Sequence, residues 1–129
     1  MAKQKTLGKV KQDVQKVVNE YVRKRDEGKP CISCGEYKPL QCGHFFAVST
    51  HQGLRYEEDN LAGECLACNY YNESHLIKYR DNLLERIGEE RFKALYEKAE
   101  HYKKHGYKFT REELAEIKKK YYKKIKELK

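Results

Sequence analysis

The sequence predicts an α+β fold: a small β-hairpin and helix, stapled by zinc, set between amphipathic α-helices. Three observations carry this. Four cysteines form two Cys-x-x-Cys pairs, Cys31/Cys34 and Cys65/Cys68. Apolar residues recur at helical spacing before the first pair and after the second, and between the pairs that spacing disappears. Each pair supplies two thiolates from one tight turn, and two such turns complete the tetrahedral S4 shell that structural zinc favours.

The first element is a helix over 7–25, where Val10, Val14, Val17, Val18, Tyr21 and Val22 make one apolar stripe. Gly28 and Pro30 stop it. Between the cysteine pairs, short runs separated by Thr50, Gly53 and Asp59-Asn60 predict a hairpin with a long or bulged connection. Strand one, within 41–48, carries His44 and Phe45; strand two, within 53–56, carries Leu54 and Tyr56. Asn60 falls in the turn leading to Cys65. After Cys68, Tyr71, Leu76, Ile77, Tyr79, Leu83, Leu84 and Ile87 predict a helix ending at Gly88. Phe92, Leu95, Tyr96 and Ala99 define the next, over 89–104, which His105-Gly106 breaks. Thr110 and Glu113 form a capping-box signature before a last helix lined by Leu114, Ile117, Tyr121, Ile125 and Leu128. The divisions are an N-terminal helix (1–28), a zinc-bound core (29–88) and C-terminal basic helices (89–129), together one structural domain.

Composition supports a metal-stabilised core. A chain of 129 residues has material for one small domain, and with 39% hydrophobic against 37% charged residues a metal replaces missing apolar burial. Lys and Arg total 28 against 20 Asp and Glu, a net charge of +8 that attracts polyanions, so DNA or RNA is the expected partner. Arg55, Lys78, Arg80, Lys119 and Lys123 are the expected phosphate contacts. Lys118 to Lys120 and Lys123-Lys124 also sit where a helix C-terminus favours cations without any ligand. Tyr70, Tyr71, Tyr121 and Tyr122 are either base-stacking platforms or core rim. Five cysteines without a hydrophobic leader point to a reducing, intracellular and cytoplasmic setting, and no apolar run approaches the roughly 20 residues a membrane span requires.

The chemistry rests on what the cysteine pairs enclose. A lone strand histidine is usually structural. Between two zinc knuckles, however, a strand-end His44, an Asn60 beyond it, and amide or imidazole side chains on the next helix can converge on one metal and one water. Cys42 belongs to neither pair and reads as a small buried hydrophobe.

The segments Cys31-Ile32-Ser33-Cys34-Gly35, Gln41-Cys42-Gly43-His44-Phe45, Leu54-Arg55-Tyr56-Glu57-Glu58-Asp59-Asn60 and Cys65-Leu66-Ala67-Cys68-Asn69 resemble the HNH, or ββα-metal, nucleases. With Tyr79 and the 85–88 segment, they resemble more closely the NinG (Rap) recombination proteins of lambdoid phages. The resemblance covers the central half of the chain. It implies a metal-dependent DNA endonuclease in which His44 is the general base, Asn60 orients the His-bearing strand and Asn69 is a metal ligand. Asn72 and His75 compete with Asn69 for the helical ligand position. It further implies a structural Zn2+, a catalytic Mg2+ or Mn2+, branched recombination intermediates as substrate, and a phage-infected or prophage-bearing host. One departure stands out: many HNH enzymes carry Asp or His as a metal ligand where this chain has Gly43. Asp59 and Glu64 lie near the expected metal, but in a Glu-rich stretch both are expected to be solvated. Two other readings fit the same sequence: a zinc module that binds nucleic acid without cutting it, and a helical interaction protein stapled by zinc. Junction cleavage would suit a homodimer, with the apolar face of the last helix as its interface.

Overall fold

Residues 4–71 and 75–128 are described by a computed structural model. The first helix, α1 (Leu7–Arg25), starts where Thr6 Oγ1 accepts the Lys9 N–H and ends on Arg23, Lys24 and Arg25, cations that suit a helix C-terminus. Its valine stripe is buried. Two strands follow, β1 (Leu40–His44) and β2 (Leu61–Cys65), antiparallel in a register that runs from Leu40 opposite Cys65 to His44 opposite Leu61. A π-helical turn (Ala67–Tyr71) leads to α2 (His75–Ile87), then α3 (Glu89–His105) and α4 (Arg111–Glu127). Gly88 and Gly106, at φ 87° and 72°, make the sharp turns that separate the last three helices. The Thr110–Glu113 capping box opens α4.

Strand two is not where alternation placed it. Gln52–Leu54 forms a 3-10 turn, and Gly53 lies so close to the Tyr102 ring that a Cβ there would stand 2.5 Å from it. The ladder instead uses Leu61–Cys65, all five residues buried. Burial on both faces removes the apolar–polar alternation by which a strand is recognised. The connection is accordingly long, spanning 45–60, and includes a second 3-10 turn at Glu58–Asn60.

Leu61 and Ala62 show what covers the two faces. Leu61 joins a core with Val14, Val18 and Val22 of α1, Leu114 and Tyr121 of α4, Tyr56 and Phe109. Ala62 joins a second core with Ile32, Phe45, Leu54, Tyr79 and Leu83 of α2, and Phe92, Leu95 and Ala99 of α3. The hairpin is thus held between α1/α4 and α2/α3. This also corrects the expected dimer face: the apolar stripe of α4, Ile117 and Ile125 included, packs against α1 within the chain. No described helix is long and apolar enough to cross a membrane.

Candidate functional site

The four paired cysteines converge. The Sγ atoms of Cys31, Cys34, Cys65 and Cys68 all lie within 4.8 Å of one another, with Cys34 and Cys65 at 3.9 Å. An S4 shell with Zn–S bonds of roughly 2.3 Å has sulfur–sulfur edges a little under 4 Å, so the cluster can hold a metal such as zinc. The backbone prepares it: the N–H groups of Ser33, Cys34 and Cys65 point at Cys31 Sγ, at 3.4, 3.5 and 3.3 Å. Burial opposes ionisation of Cys31, yet these donors hold its thiol below the ordinary cysteine value. Cys42 stays outside the cluster, packed against the α1/α4 core, and burial pushes its thiol up to about 12.

The Ile32 N–H donates to the Gly63 carbonyl, tying the first knuckle to β2. Two fully buried carboxylates lie at this strand, Asp26 packed against it and Glu64 within it. Asp26, at the end of α1, accepts from Arg25 through both oxygens, from Arg86 at 3.1 Å and from the Gly63 N–H at 2.7 Å. Burial alone would raise its carboxyl; the Arg25 guanidinium, the Gly63 amide and Arg86 win, and hold it at about 2. Glu64 is surrounded differently. Ser33 Oγ and His75 Nδ1 both bond its Oε2, while Oε1 is buried without a hydrogen-bond partner among the described residues. The expectation that Glu64 is solvated is therefore wrong: it sits inside a strand covered on both faces. Asp59 is partly exposed and paired with Arg91.

His44 ends β1 and is partly exposed. Its Nε2 lies 3.0 Å from the Arg55 carbonyl. A carbonyl only accepts, so Nε2 carries the hydrogen and Nδ1 the lone pair. Burial, added to by the Arg55 charge and only partly offset by that hydrogen bond, lowers the His44 pKa below 6.5. The imidazole is neutral at pH 7. Asn60 is fully buried and brackets the chain just beyond His44: its Oδ1 accepts from Phe46 N at 2.8 Å, and its Nδ2 donates to the carbonyls of Phe46 and Leu54. Its own carbonyl accepts from Phe45 N.

On the helical side, Asn69 Nδ2 donates to Gln41 Oε1 at 3.2 Å from within the π-helical turn, and His75 opens α2 against Glu64. Asn72 lies outside the described residues. The expected phosphate contacts are not gathered on one face. Arg55 donates to Gln15 of α1; Lys78 and Arg80 are exposed on α2; Lys119 and Lys123 are exposed on α4, which covers the opposite side of the hairpin.

Sequence reasoning missed Asp26, Ser33 and the burial of Glu64. One signal was present: Glu64 is the only charged residue of the run Leu61-Ala62-Gly63-Glu64-Cys65 and directly precedes a cysteine of the cluster. A charge inside an otherwise small and apolar run beside a paired cysteine marks a buried charge.

A family model described as "Bacteriophage Lambda NinG protein" matches residues 1–129. Among curated relatives, Protein ninG of Escherichia phage 933W is 37% identical over 88% of this chain and 55% of its own length. The Salmonella phage P22 protein has the same figures, and that of Escherichia phage lambda is 36% identical over 88% of this chain and 54% of its own length. The chain spans about half the length of these relatives. No solved structure matches it.

Proposed function

Because the chain belongs to the NinG family of lambdoid phage proteins, we propose that it is a metal-dependent DNA endonuclease of HNH type acting on branched recombination intermediates. The observation that carries this reading is His44: an imidazole kept neutral by burial and fixed as one tautomer by the Arg55 carbonyl. A neutral imidazole with a free ring nitrogen is suited to take a proton from water at cellular pH.

His44 takes the proton at Nδ1, its Nε2–H remaining on Arg55 O. Asn60 keeps the segment after His44 from moving by bonding three backbone groups of 46 and 54. The zinc cluster anchors the far end of both strands, since Cys65 pairs with Leu40 at the opposite end of the ladder from His44. Asn69 and His75 are candidates to hold a divalent cation, which when bound supplies positive charge for the scissile phosphate and the leaving oxygen. The net charge of +8 favours the encounter with DNA.

His44→Ala tests the reading. The variant is expected to keep its zinc and its DNA affinity while Mg2+- or Mn2+-dependent cleavage falls by roughly 10²–10⁴-fold, the usual worth of a general base. Cleavage of linear, forked and four-way DNA in parallel tests substrate class. Undiminished cleavage by H44A would remove His44 from the mechanism; salt-sensitive binding without cleavage by either protein would make this a nucleic-acid-binding zinc module.

A further inference from the structure

We infer that Glu64 and His75 form a second cation site, separate from the cysteine cluster and suited to a hard divalent ion such as Mn2+ or Mg2+. Glu64 is fully buried, where a carboxylate persists only if it is paired or bound to metal. Its partners answer a single oxygen: Ser33 Oγ and His75 Nδ1 both reach Oε2. Oε1 has no partner among the described residues. Groups that would compensate it are committed elsewhere. Arg25 and Arg86 go to Asp26, and the Tyr79 hydroxyl donates to the Gly43 carbonyl at 2.9 Å.

Gly43 shows that space is reserved for this carboxylate. A Cβ at 43 would stand 2.6 Å from Glu64 Oε1 and 2.9 Å from Glu64 Cβ. The glycine is needed for room, its φ not being positive. The unanswered oxygen thus lies against β1, one residue before His44. Gln41 faces Glu64 in the strand register, and its Oε1 is held by Asn69 Nδ2. Carboxylate and amide oxygens, without thiolate, favour Mg2+ or Mn2+, and the imidazole tips that choice toward the transition ion Mn2+.

The part this cation plays in cleavage rests on the nuclease reading; its binding does not. The experiment titrates Mn2+ into the zinc-loaded full chain and follows the free-ion signal by electron paramagnetic resonance. Wild type is expected to bind Mn2+, with Glu64→Gln and Gly43→Ala each weakening it by roughly tenfold or more while zinc content and circular dichroism are unchanged. His44→Ala is expected to bind Mn2+ like wild type. If E64Q does not keep its zinc, His75→Ala, at the partly exposed edge of the site, decides by the same readout. Wild-type affinity in E64Q and H75A, or a wild type that takes up no Mn2+ at millimolar concentration, overturns the site. Mn2+ bound through Glu64 without DNA cleavage upholds the site and overturns the nuclease reading. Cleavage with Mn2+ affinity indifferent to Glu64 does the reverse.

Discussion

Asp26 and Glu64 are both fully buried acids on either side of Gly63, and they are solvated by the protein in opposite ways. Asp26 has two guanidiniums and a backbone amide around it, with both oxygens answered. Glu64 has a hydroxyl and an imidazole on one oxygen and, among the described residues, nothing on the other. A carboxylate whose lone pairs are filled by fixed cations is a structural joint: it fastens α1, β2 and α2 together. A carboxylate left half-answered at comparable burial carries a desolvation cost that a ligand can relieve. Completeness of pairing, not burial, separates the two.

The strongest perturbation of this contrast is zinc removal. Both knuckles hold the Glu64 side: Ser33 lies inside the first and Cys65 follows Glu64 directly. The Asp26 side leans also on the α1/α4 core, which contains no cysteine ligand. Structural zinc contributes on the order of 10 kcal/mol in small domains. Chelation is therefore expected to abolish hydrogen-exchange protection across 61–65 and to release α2, while part of the helical circular dichroism from α1 and α4 survives. Equal loss of protection in α1 would show that the two sides are not separable.

Next in size is the same acid-to-amide change made on each side. Asp26→Asn weakens a fully paired buried ion cluster and leaves Arg86 and Arg25 undercompensated, an expected loss of roughly 3–5 kcal/mol in urea unfolding. Glu64→Gln removes a charge whose second oxygen had no partner, so its expected cost without added cation is under about 1 kcal/mol. Saturating Mn2+ should then widen the gap for Glu64 alone: wild type gains about 2.7 kcal/mol at a hundred times its dissociation constant, and E64Q, bound at least tenfold more weakly, gains about 1.4 kcal/mol or less. An E64Q as damaging as D26N would make both acids structural joints.

Periodicity and composition made the helices legible, down to the Leu7–Arg25 limits of α1 and the Thr110 cap of α4, because one-sided burial writes its period into the chain. The cysteine cluster was legible because Cys-x-x-Cys spacing encodes the geometry of a turn. Strand β2 was not, since Leu61-Ala62-Gly63-Glu64-Cys65 is buried on both faces and has no alternation to read. The Glu64 environment was hidden for a related reason. Its partners Ser33 and His75 come from opposite flanks of the chain and meet only once the knuckles close. Asp26 looked like one more charge in a basic helix end, and only the fold brings Arg86 and the Gly63 amide to it.

Acid titration gives the smallest effect and tests the Asp26 half alone. The Asp26 carboxyl is held at about 2 in the folded chain against an ordinary 3.8. Where the folded value is depressed, the unfolded chain binds the proton first as pH falls. Its contribution is whole above 3.8 and lost between 3.8 and about 2, on the order of 2 kcal/mol. His44 acts with the same sign at higher pH: its folded value lies below 6.5, so stability begins to fall as pH drops through 6.5, and the acid limb of cleavage should lie on the acid side of that point. Stabilities of wild type and D26N from urea unfolding should run parallel from pH 7 to pH 5, including the His44 step, and draw closer by about 2 kcal/mol as pH falls from 3.8 toward 2. Parallel curves down to pH 2 would mean that Asp26 is not held ionised by Arg25 and Arg86, and the contrast with Glu64 would lose its paired member.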